Sequence, residues 1–239
     1  MGIEDFWGTT LDEVLRRSPA LSETARRRVG EWMWLSRDKR ATPVSTARIV
    51  VVDTETSGLD VRRDTLISIG ACVVSGASLN IGESFYRELR QDSASGNANI
   101  LLHGIGRQAQ LAGEAEADAL SAFLEFAGKH TLAAFNAPFD HEFLAAAMRT
   151  YLGVRFRPDW IDLAELPKAL FPDDALTLKT LDNWLERFSI VHLDRHNALA
   201  DAYCTAQLLM VMLRSAEREG YSSLGGLKRA ERFHHWQRH

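Results

Sequence analysis

An apolar strand that ends in two carboxylates constrains this chain more than any other feature. Residues 50–55 read Val-Val-Val-Asp-Thr-Glu. Because side chains on a strand alternate between faces, Asp53 and Glu55 project to the same side. Two carboxylates about 4 Å apart repel by roughly 4 kcal/mol at an effective dielectric constant of about 20. A divalent cation that prefers oxygen ligands, such as Mg²⁺ or Mn²⁺, would neutralise them; a solvated acidic turn is the alternative.

The composition is that of an ordinary globular protein. The chain has 239 residues, 46% of them hydrophobic and 25% charged, which is enough for one sizeable domain with an extension. A net charge of −4 argues against indiscriminate coating of nucleic acid. Cys72 and Cys204 are far apart, which indicates neither a zinc site nor a disulfide framework. With no signal region at the acidic N-terminus and no membrane-length apolar run, we expect a cytoplasmic protein.

Hydrophobic patterning divides the chain into three zones. Residues 1–46 predict an N-terminal helical extension, in which Trp32 and Trp34 point in opposite directions and one of them is available to a protein partner. Residues 47–215 predict the main domain. Residues 216–239 form a basic and aromatic tail, which would either bind single-stranded nucleic acid by charge and stacking or pack as an ordinary terminus.

The main domain predicts a mixed α/β sheet. A three-strand meander followed by helices that alternate with short strands is typical of this class. The predicted strands are residues 48–53, 66–75, 79–89, 132–135 and 160–162. The predicted helices are residues 114–129, a helix from Pro138 with Asn136 as a possible cap, and residues 163–170, 178–188 and 197–215.

Two further acids lie on faces of predicted helices that should be buried. Asp201 shares its stripe with Ala198, Thr205, Leu208 and Met212. A buried carboxylate needs a partner or a metal ion.

Asp140 gives the same result, because Leu144, Ala147 and Tyr151 follow it on one stripe. It also occupies the first turn of its helix, where the helix dipole favours an anion. The alternative is therefore that Asp140 only stabilises the start of this helix. Four inward-facing acids from three segments nevertheless predict a cage of oxygen ligands for two metal ions.

His196 precedes Asp201 by five residues, at the start of the same predicted helix. A lone histidine is usually structural or exposed. Beside an acid cluster, its unperturbed pKa of about 6.5 suits a general base that takes a proton from water.

Three segments of this sequence together resemble the motifs of the DnaQ-like DEDDh exonuclease family. They are residues 53–59 (Asp-Thr-Glu-Thr-Ser-Gly-Leu), residues 135–140 (Phe-Asn-Ala-Pro-Phe-Asp) and residues 196–201 (His-Asn-Ala-Leu-Ala-Asp). Their order matches, and a histidine rather than a tyrosine precedes the last aspartate. The resemblance covers about residues 47–215 and implies a ribonuclease H-like fold with 3′–5′ exonuclease activity that requires two divalent metal ions.

The resemblance also implies roles for these residues. Asp53 would bridge two Mg²⁺ or Mn²⁺ ions, Glu55 and Asp201 would complete the ion that carries the attacking water, and Asp140 would support the second ion. His196 would accept the proton of that water, and a nucleoside 5′-monophosphate would leave.

Contacts to the substrate follow less directly from the residues. The backbone at Thr56 and Ser57 could meet the terminal sugar, with Gly58 leaving room for close approach. By resemblance Leu59 would wedge against the last base. Three further candidates are Asn136, Phe139 and His103, although Phe139 could equally belong to the core and His103 could merely cap a turn.

The sequence leaves several functional alternatives open. The expected substrate is the 3′ end of single-stranded nucleic acid, with DNA favoured over RNA. A proofreading subunit that docks on a polymerase through the N-terminal helices or the tail is one alternative. A nucleic-acid-binding module that keeps the fold without the chemistry is another, and the presence of all five site residues argues against it.

Overall fold

The computed structural model describes residues 21–76, 78–92, 96, 104–192 and 196–236, with the backbone alone for residues 233–236. Its centre is a five-stranded sheet in the order β3-β2-β1-β4-β5. The strands are β1 (Arg48–Thr56), β2 (Leu66–Ser75), β3 (Ser78–Glu88), β4 (Thr131–Ala134) and β5 (Trp160–Asp162). The first three strands form an antiparallel meander, and β4 and β5 continue the sheet in parallel with β1. The predicted mixed α/β architecture is confirmed.

Helices cover both faces of this sheet. They are α1 (Glu23–Trp34), α2 (Arg107–Ala112), α3 (Glu116–Ala127), α4 (Ala137–Leu152), α5 (Leu166–Leu170), α6 (Leu181–Arg187), α7 (Ala198–Arg218) and α8 (Leu224–Trp236). Short 3₁₀ turns lie at Val44–Thr46 and Asp174–Leu176. In the part of the chain that the structure describes, no helix combines the length and apolarity that a membrane span requires.

Strand β1 is buried on both faces because it lies at the centre of the sheet. Val50 and Val52 pack into the core beneath α3 and α4, whereas Ile49 and Val51 pack into the core beneath α7. The strand alternation therefore assigns each residue at its carboxyl end to one of two cores.

Two segments outside the predicted main domain also pack on it. In α1, Ala25 and Val29 are fully buried, and the Trp32 indole donates a hydrogen bond to the Gly128 carbonyl, whereas Trp34 remains 76% exposed. In α8, Leu227 is fully buried against the core beneath α7. The predicted tail thus contains a helix that packs on the domain through Leu227, while the domain boundaries themselves stay predictions.

Several helices start later than the sequence pattern predicts, for local reasons. Helix α5 begins at Leu166 rather than 163, because the Asp162 carboxylate accepts a hydrogen bond from the Ala164 N–H and holds a turn there. Helix α6 begins at Leu181 rather than 178, because Thr180 caps it through the Asn183 N–H. Side-chain caps of this kind compete with the preceding residues for the helix start.

Candidate metal and catalytic site

Three of the four predicted acids meet at the carboxyl end of β1. Asp53 and Glu55 leave β1 on the face that α7 covers, and Asp201 lies in the first turn of α7. Carboxylate oxygens of these three residues all lie within 4.8 Å of one another. Asp201 is 6% exposed, while Asp53 and Glu55 are half-buried. Three acids at this spacing repel one another and match the oxygen ligands that hard divalent cations prefer.

A glycine brings α7 to this position. Gly70 of β2 pairs with Asp53, and a Cβ built on Gly70 would lie 2.2 Å from the backbone of both Ala198 and Leu199. The start of α7 therefore rests directly on the sheet beside Asp53. The predicted inward stripe is confirmed, since Ala198, Thr205, Leu208 and Met212 are all buried with Asp201.

The fourth predicted acid, Asp140, lies outside this group and has a different partner. It sits in the first turn of α4, and its Oδ1 accepts a hydrogen bond of 2.8 Å from the Thr54 hydroxyl. Thr54 stands between Asp53 and Glu55 in β1, so its side chain points to the opposite face of the sheet. The sequence places four acids at one strand end, and the structure distributes them over both faces of that strand.

Burial changes the protonation of Asp140. Removal from water raises its pKa to about 7, while the hydrogen bond from Thr54 opposes that rise. Nearby Asp162, whose own pKa is raised by burial, adds a repulsive contribution. In the absence of a cation, Asp140 thus prefers to keep a proton below neutral pH.

Both oxygens of Asp201 receive hydrogen bonds from the segment that precedes α7. The His196 backbone N–H donates to Oδ2 at 2.9 Å. The His192 ring reaches the other oxygen, with Nε2 2.6 Å from Oδ1. His196 has a left-handed backbone, with φ of 63°, and a half-buried side chain. His192 was missed by the sequence analysis, since no spacing rule distinguishes it from an ordinary loop histidine.

Asn136 and Phe139 flank Asp140, and the structure gives each a structural contact. Asn136 occupies the position before α4 in a left-handed conformation, with φ of 67°. It is the N-cap residue, as predicted, but its side chain makes no capping hydrogen bond; its backbone N–H donates to the Asp162 carboxylate at 3.0 Å. Phe139 packs against the core, with its ring 5.0 Å from that of Phe143.

The turn after β1 is held by its own side chains. The Thr56 hydroxyl donates to the Gly58 carbonyl at 2.6 Å, and the Ser57 hydroxyl accepts from the Thr65 N–H at 2.9 Å. A Cβ on Gly58 would lie 2.3 Å from the Asp64 carboxylate, so Asp64 occupies the place that a side chain at this position would take. Leu59 is 86% exposed at the tip of this turn. The remaining candidate contact, His103, lies outside the described residues.

A family model described as an exonuclease, RNase_T, matches residues 50–209. The chain belongs to this exonuclease family. The match spans every segment that positions the site, from β1 through the first half of α7. The DnaQ-like resemblance drawn from the three motifs is therefore confirmed.

Relatives of this exonuclease-family chain include much longer proteins. It is 27% identical over 183 residues to the DNA polymerase III PolC-type protein of Thermotoga maritima. This alignment covers 77% of this chain and 13% of that protein. The chain thus spans about an eighth of that relative's length. E. coli exonuclease I in complex with a dT13 oligonucleotide shares the fold, with a TM-score of 0.61 and 21% identity over 73% of this chain and 43% of the other.

A shorter structural neighbour is matched along almost its whole length. Exonuclease X in complex with 5′ overhanging duplex DNA superimposes with a TM-score of 0.58 and 19% identity, covering 76% of this chain and 99% of that chain. At these identities the two structural neighbours establish the fold of this chain. They confirm the ribonuclease H-like architecture that the motifs imply.

Proposed function

We propose that this chain is a metal-dependent 3′–5′ exonuclease that releases nucleoside 5′-monophosphates from single-stranded 3′ ends. The observation that carries the proposal is the group of Asp53, Glu55 and Asp201, whose carboxylate oxygens lie within 4.8 Å of one another. Membership of an exonuclease family supports phosphodiester hydrolysis at this group.

The donor set fits two divalent ions such as Mg²⁺ or Mn²⁺. Asp53, Glu55 and Asp201 would hold them, with Asp140 as a further candidate ligand from the other face of β1. Bound there, divalent cations would neutralise charge on the phosphodiester and make water easier to deprotonate. The anionic oxygens of this group are hard ligands, which favours these ions over softer metals.

We assign the proton transfer to the His196 imidazole. Its backbone N–H donates to the Asp201 carboxylate, which places this residue beside the acid group. A histidine at this place can take a proton from the attacking water and release it to solvent between turnovers.

Three exposed or half-exposed elements frame the route to the acid group. Leu59 projects from the turn that follows Glu55, and it is suited to packing against an unstacked terminal base. Asn136 is exposed before α4, and Thr56 and Ser57 present the backbone of the turn. Exonuclease I and exonuclease X carry DNA in their structures, which supports DNA over RNA as the substrate here.

A gel assay with 5′-labelled single-stranded DNA and RNA oligomers tests the proposal. We expect a ladder of 3′-shortened products in Mg²⁺ or Mn²⁺, no products in EDTA, and faster degradation of DNA. Asp53→Ala should abolish the ladder while leaving the fold intact by circular dichroism. His196→Asn keeps a residue that tolerates the left-handed backbone, and should reduce turnover by about 10²-fold or more.

The same assay contains the results that would contradict the proposal. A wild-type rate in Asp53→Ala would exclude the acid group as the catalytic centre. Release of the labelled 5′ nucleotide as the first product, without a ladder, would indicate the opposite polarity. A folded wild-type protein that binds Mn²⁺ but degrades neither oligomer would favour a nucleic-acid-binding role.

Polymerase association is a second candidate, and the similarity to a PolC-type polymerase favours it. Helix α1 lies outside the family match and leaves Trp34 and Leu35 exposed, which provides an apolar surface for such a contact. Co-purification with a replicative polymerase, lost in Trp34→Ala, would support this role. Full exonuclease activity of the isolated chain, with no polymerase retained, would favour a free-standing enzyme.

A further inference from the structure

The His192 ring is joined to the proposed metal ligand Asp201 at close range. Its Nε2 lies 2.6 Å from Oδ1, and both side chains are about nine-tenths buried. A bond of this length between an imidazole and a carboxylate is charge-assisted and among the stronger hydrogen bonds in proteins. His192 therefore contacts the Asp201 carboxylate as directly as the His196 backbone does.

The other ring nitrogen of His192, Nδ1, indicates that the ring is held in its position by the contact between Nε2 and Asp201. Nδ1 is buried and has no hydrogen-bond partner among the described residues. Burying a polar nitrogen without a partner is unfavourable, and a smaller apolar residue would avoid that penalty. The one polar contact that the ring makes in the described structure is with the Asp201 carboxylate.

The geometry at Asp201 remains compatible with a bound cation. A carboxylate offers about four lone-pair positions on two oxygens. His192 uses one position on Oδ1 and the His196 N–H uses one on Oδ2. The contacts of the described residues leave one position on each oxygen, and the carboxylate lies with those of Asp53 and Glu55 in one group.

We propose that His192 is a positioning residue that fixes the Asp201 carboxylate for divalent cations. This inference rests on the proposed function of the acid group, and it assigns His192 no contact with substrate. Hydrogen bonds behind a metal ligand orient it, and their loss typically weakens metal affinity by about 10- to 100-fold. The effect should therefore appear first in cation binding.

The test compares His192→Gln with His192→Asn by calorimetric titration of the full chain with Mn²⁺ at one fixed pH. The glutamine amide nitrogen can reach the place of Nε2, whereas the asparagine amide is too short. We expect affinity for Mn²⁺ within a few-fold of wild type in His192→Gln and about 10-fold or more weaker in His192→Asn. The matched control is His130→Asn, because the His130 ring pairs with a carboxylate, Asp38, that belongs to the α1–β1 connection.

A kinetic readout separates positioning from a general loss of structure. The nuclease rate of His192→Asn should recover toward wild type as Mn²⁺ is raised, because the chemistry of His196 and Asp53 is unchanged. His196→Asn should show no such recovery, because its deficit lies in proton transfer. A His192→Asn deficit that is unchanged at saturating Mn²⁺ would overturn the positioning role.

Outcomes for the inference and for the proposed function are distinct. Equal Mn²⁺ affinity in wild type, His192→Gln and His192→Asn would overturn the inference alone. A wild-type protein that binds no Mn²⁺, or that binds it equally well as Asp201→Asn, would overturn both. Weakened binding in His192→Asn together with a wild-type protein lacking nuclease activity would support the positioning role and remove the proposed function.

Discussion

The two faces of β1 hold their carboxylates in different ways. On the face toward α7, Asp53, Glu55 and Asp201 crowd three acids into one group. On the face toward α4, one acid, Asp140, is buried and accepts a hydrogen bond from Thr54. The two arrangements lie on opposite faces of one strand, because successive side chains of β1 point to alternate faces.

The difference shows how one strand can support two kinds of acid. An acid group of three gains stability from a cation that offsets its mutual repulsion. Asp140 is stabilised by keeping its proton, since burial raises its pKa to about 7. Without a bound cation, we therefore expect changes on the α7 face to act through repulsion among the acids, and changes on the α4 face to act on pH-dependent stability.

Glu55→Gln should give the largest effect. The substitution keeps the side-chain size but removes one charge from the acid group. We expect the nuclease rate to fall by on the order of 10³-fold, because metal-ion stabilisation contributes several kcal/mol to the barrier. In EDTA the melting temperature should equal or exceed that of wild type, because a repulsion has been removed. A lower melting temperature without metal would contradict the assignment of this face.

Gly70→Ala tests the packing of α7 against the strand end. The new Cβ would collide with the backbone of Ala198 and Leu199, which cannot move aside as a flexible side chain could. Displacement of Asp201 by about 1 Å should lower activity by about 10²-fold, and overpacking should cost about 1–3 kcal/mol in unfolding free energy. Urea denaturation and the oligomer assay measure both.

Gly82→Ala is the matched control for this substitution. Gly82 lies on β3 at the edge of the sheet, where a Cβ would meet only the Asn80 side chain at 3.4 Å. We expect activity and stability close to wild type. Similar losses in both variants would show that the effect of Gly70→Ala is a general one on the sheet.

Asp140→Asn should reveal the opposite behaviour of the α4 face. The folded pKa of Asp140 is raised to about 7 from an ordinary value of 3.8, so the native state holds a proton that the unfolded state releases. Stability from that proton is therefore present below about pH 4 and is lost as the pH rises through about 7. Asparagine cannot ionise, so its advantage over wild type should grow with pH.

Melting in EDTA at pH 5 and pH 8 measures this advantage. We expect Asp140→Asn to gain on the order of a few kcal/mol relative to wild type between the two values. Asp173→Asn, an exposed aspartate, is the control and should show no such trend. A gap between Asp140→Asn and wild type that narrows as the pH rises would reverse the inferred protonation.

The sequence was sufficient to predict the strand end and the acids, because both depend on local periodicity. The spacing of Asp53 and Glu55 and the buried stripe of Asp201 follow from strand and helix repeats alone. The separation of Asp140 from that group does not, since it depends on which face α4 covers. The role of Gly70 cannot be predicted from local repeats either, because it depends on the close approach of a helix more than a hundred residues later in the chain.

His192 and Asp64 show a second limit on prediction from sequence. Each acts through a contact that no repeat encodes: His192 with Asp201, and Asp64 in the space beside Gly58. The absence of a side chain at Gly58 is explained by the Asp64 carboxylate, which occupies the place that a Cβ would take. Loop contacts of this kind depend on the full three-dimensional path.

Thr54→Val is the smallest and most selective change. Valine keeps the shape of threonine in the strand but removes the hydroxyl that donates to Asp140 at 2.8 Å. We expect a loss of about 1–3 kcal/mol in unfolding free energy, because a buried acceptor loses its partner. The loss should be greater at pH 8 than at pH 5, since the hydroxyl stabilises the ionised carboxylate.

Thr54→Ser keeps the donor and serves as the control for this last prediction. The pair also decides whether the two faces act separately, because Thr54 is flanked by Asp53 and Glu55 while its side chain points away from them. Mn²⁺ affinity should stay within a few-fold of wild type in both variants. Thr54→Val could instead weaken Mn²⁺ binding as strongly as Gly70→Ala. Asp140 would then have to act together with the acid group of the α7 face, through the end of β1 that the two faces share.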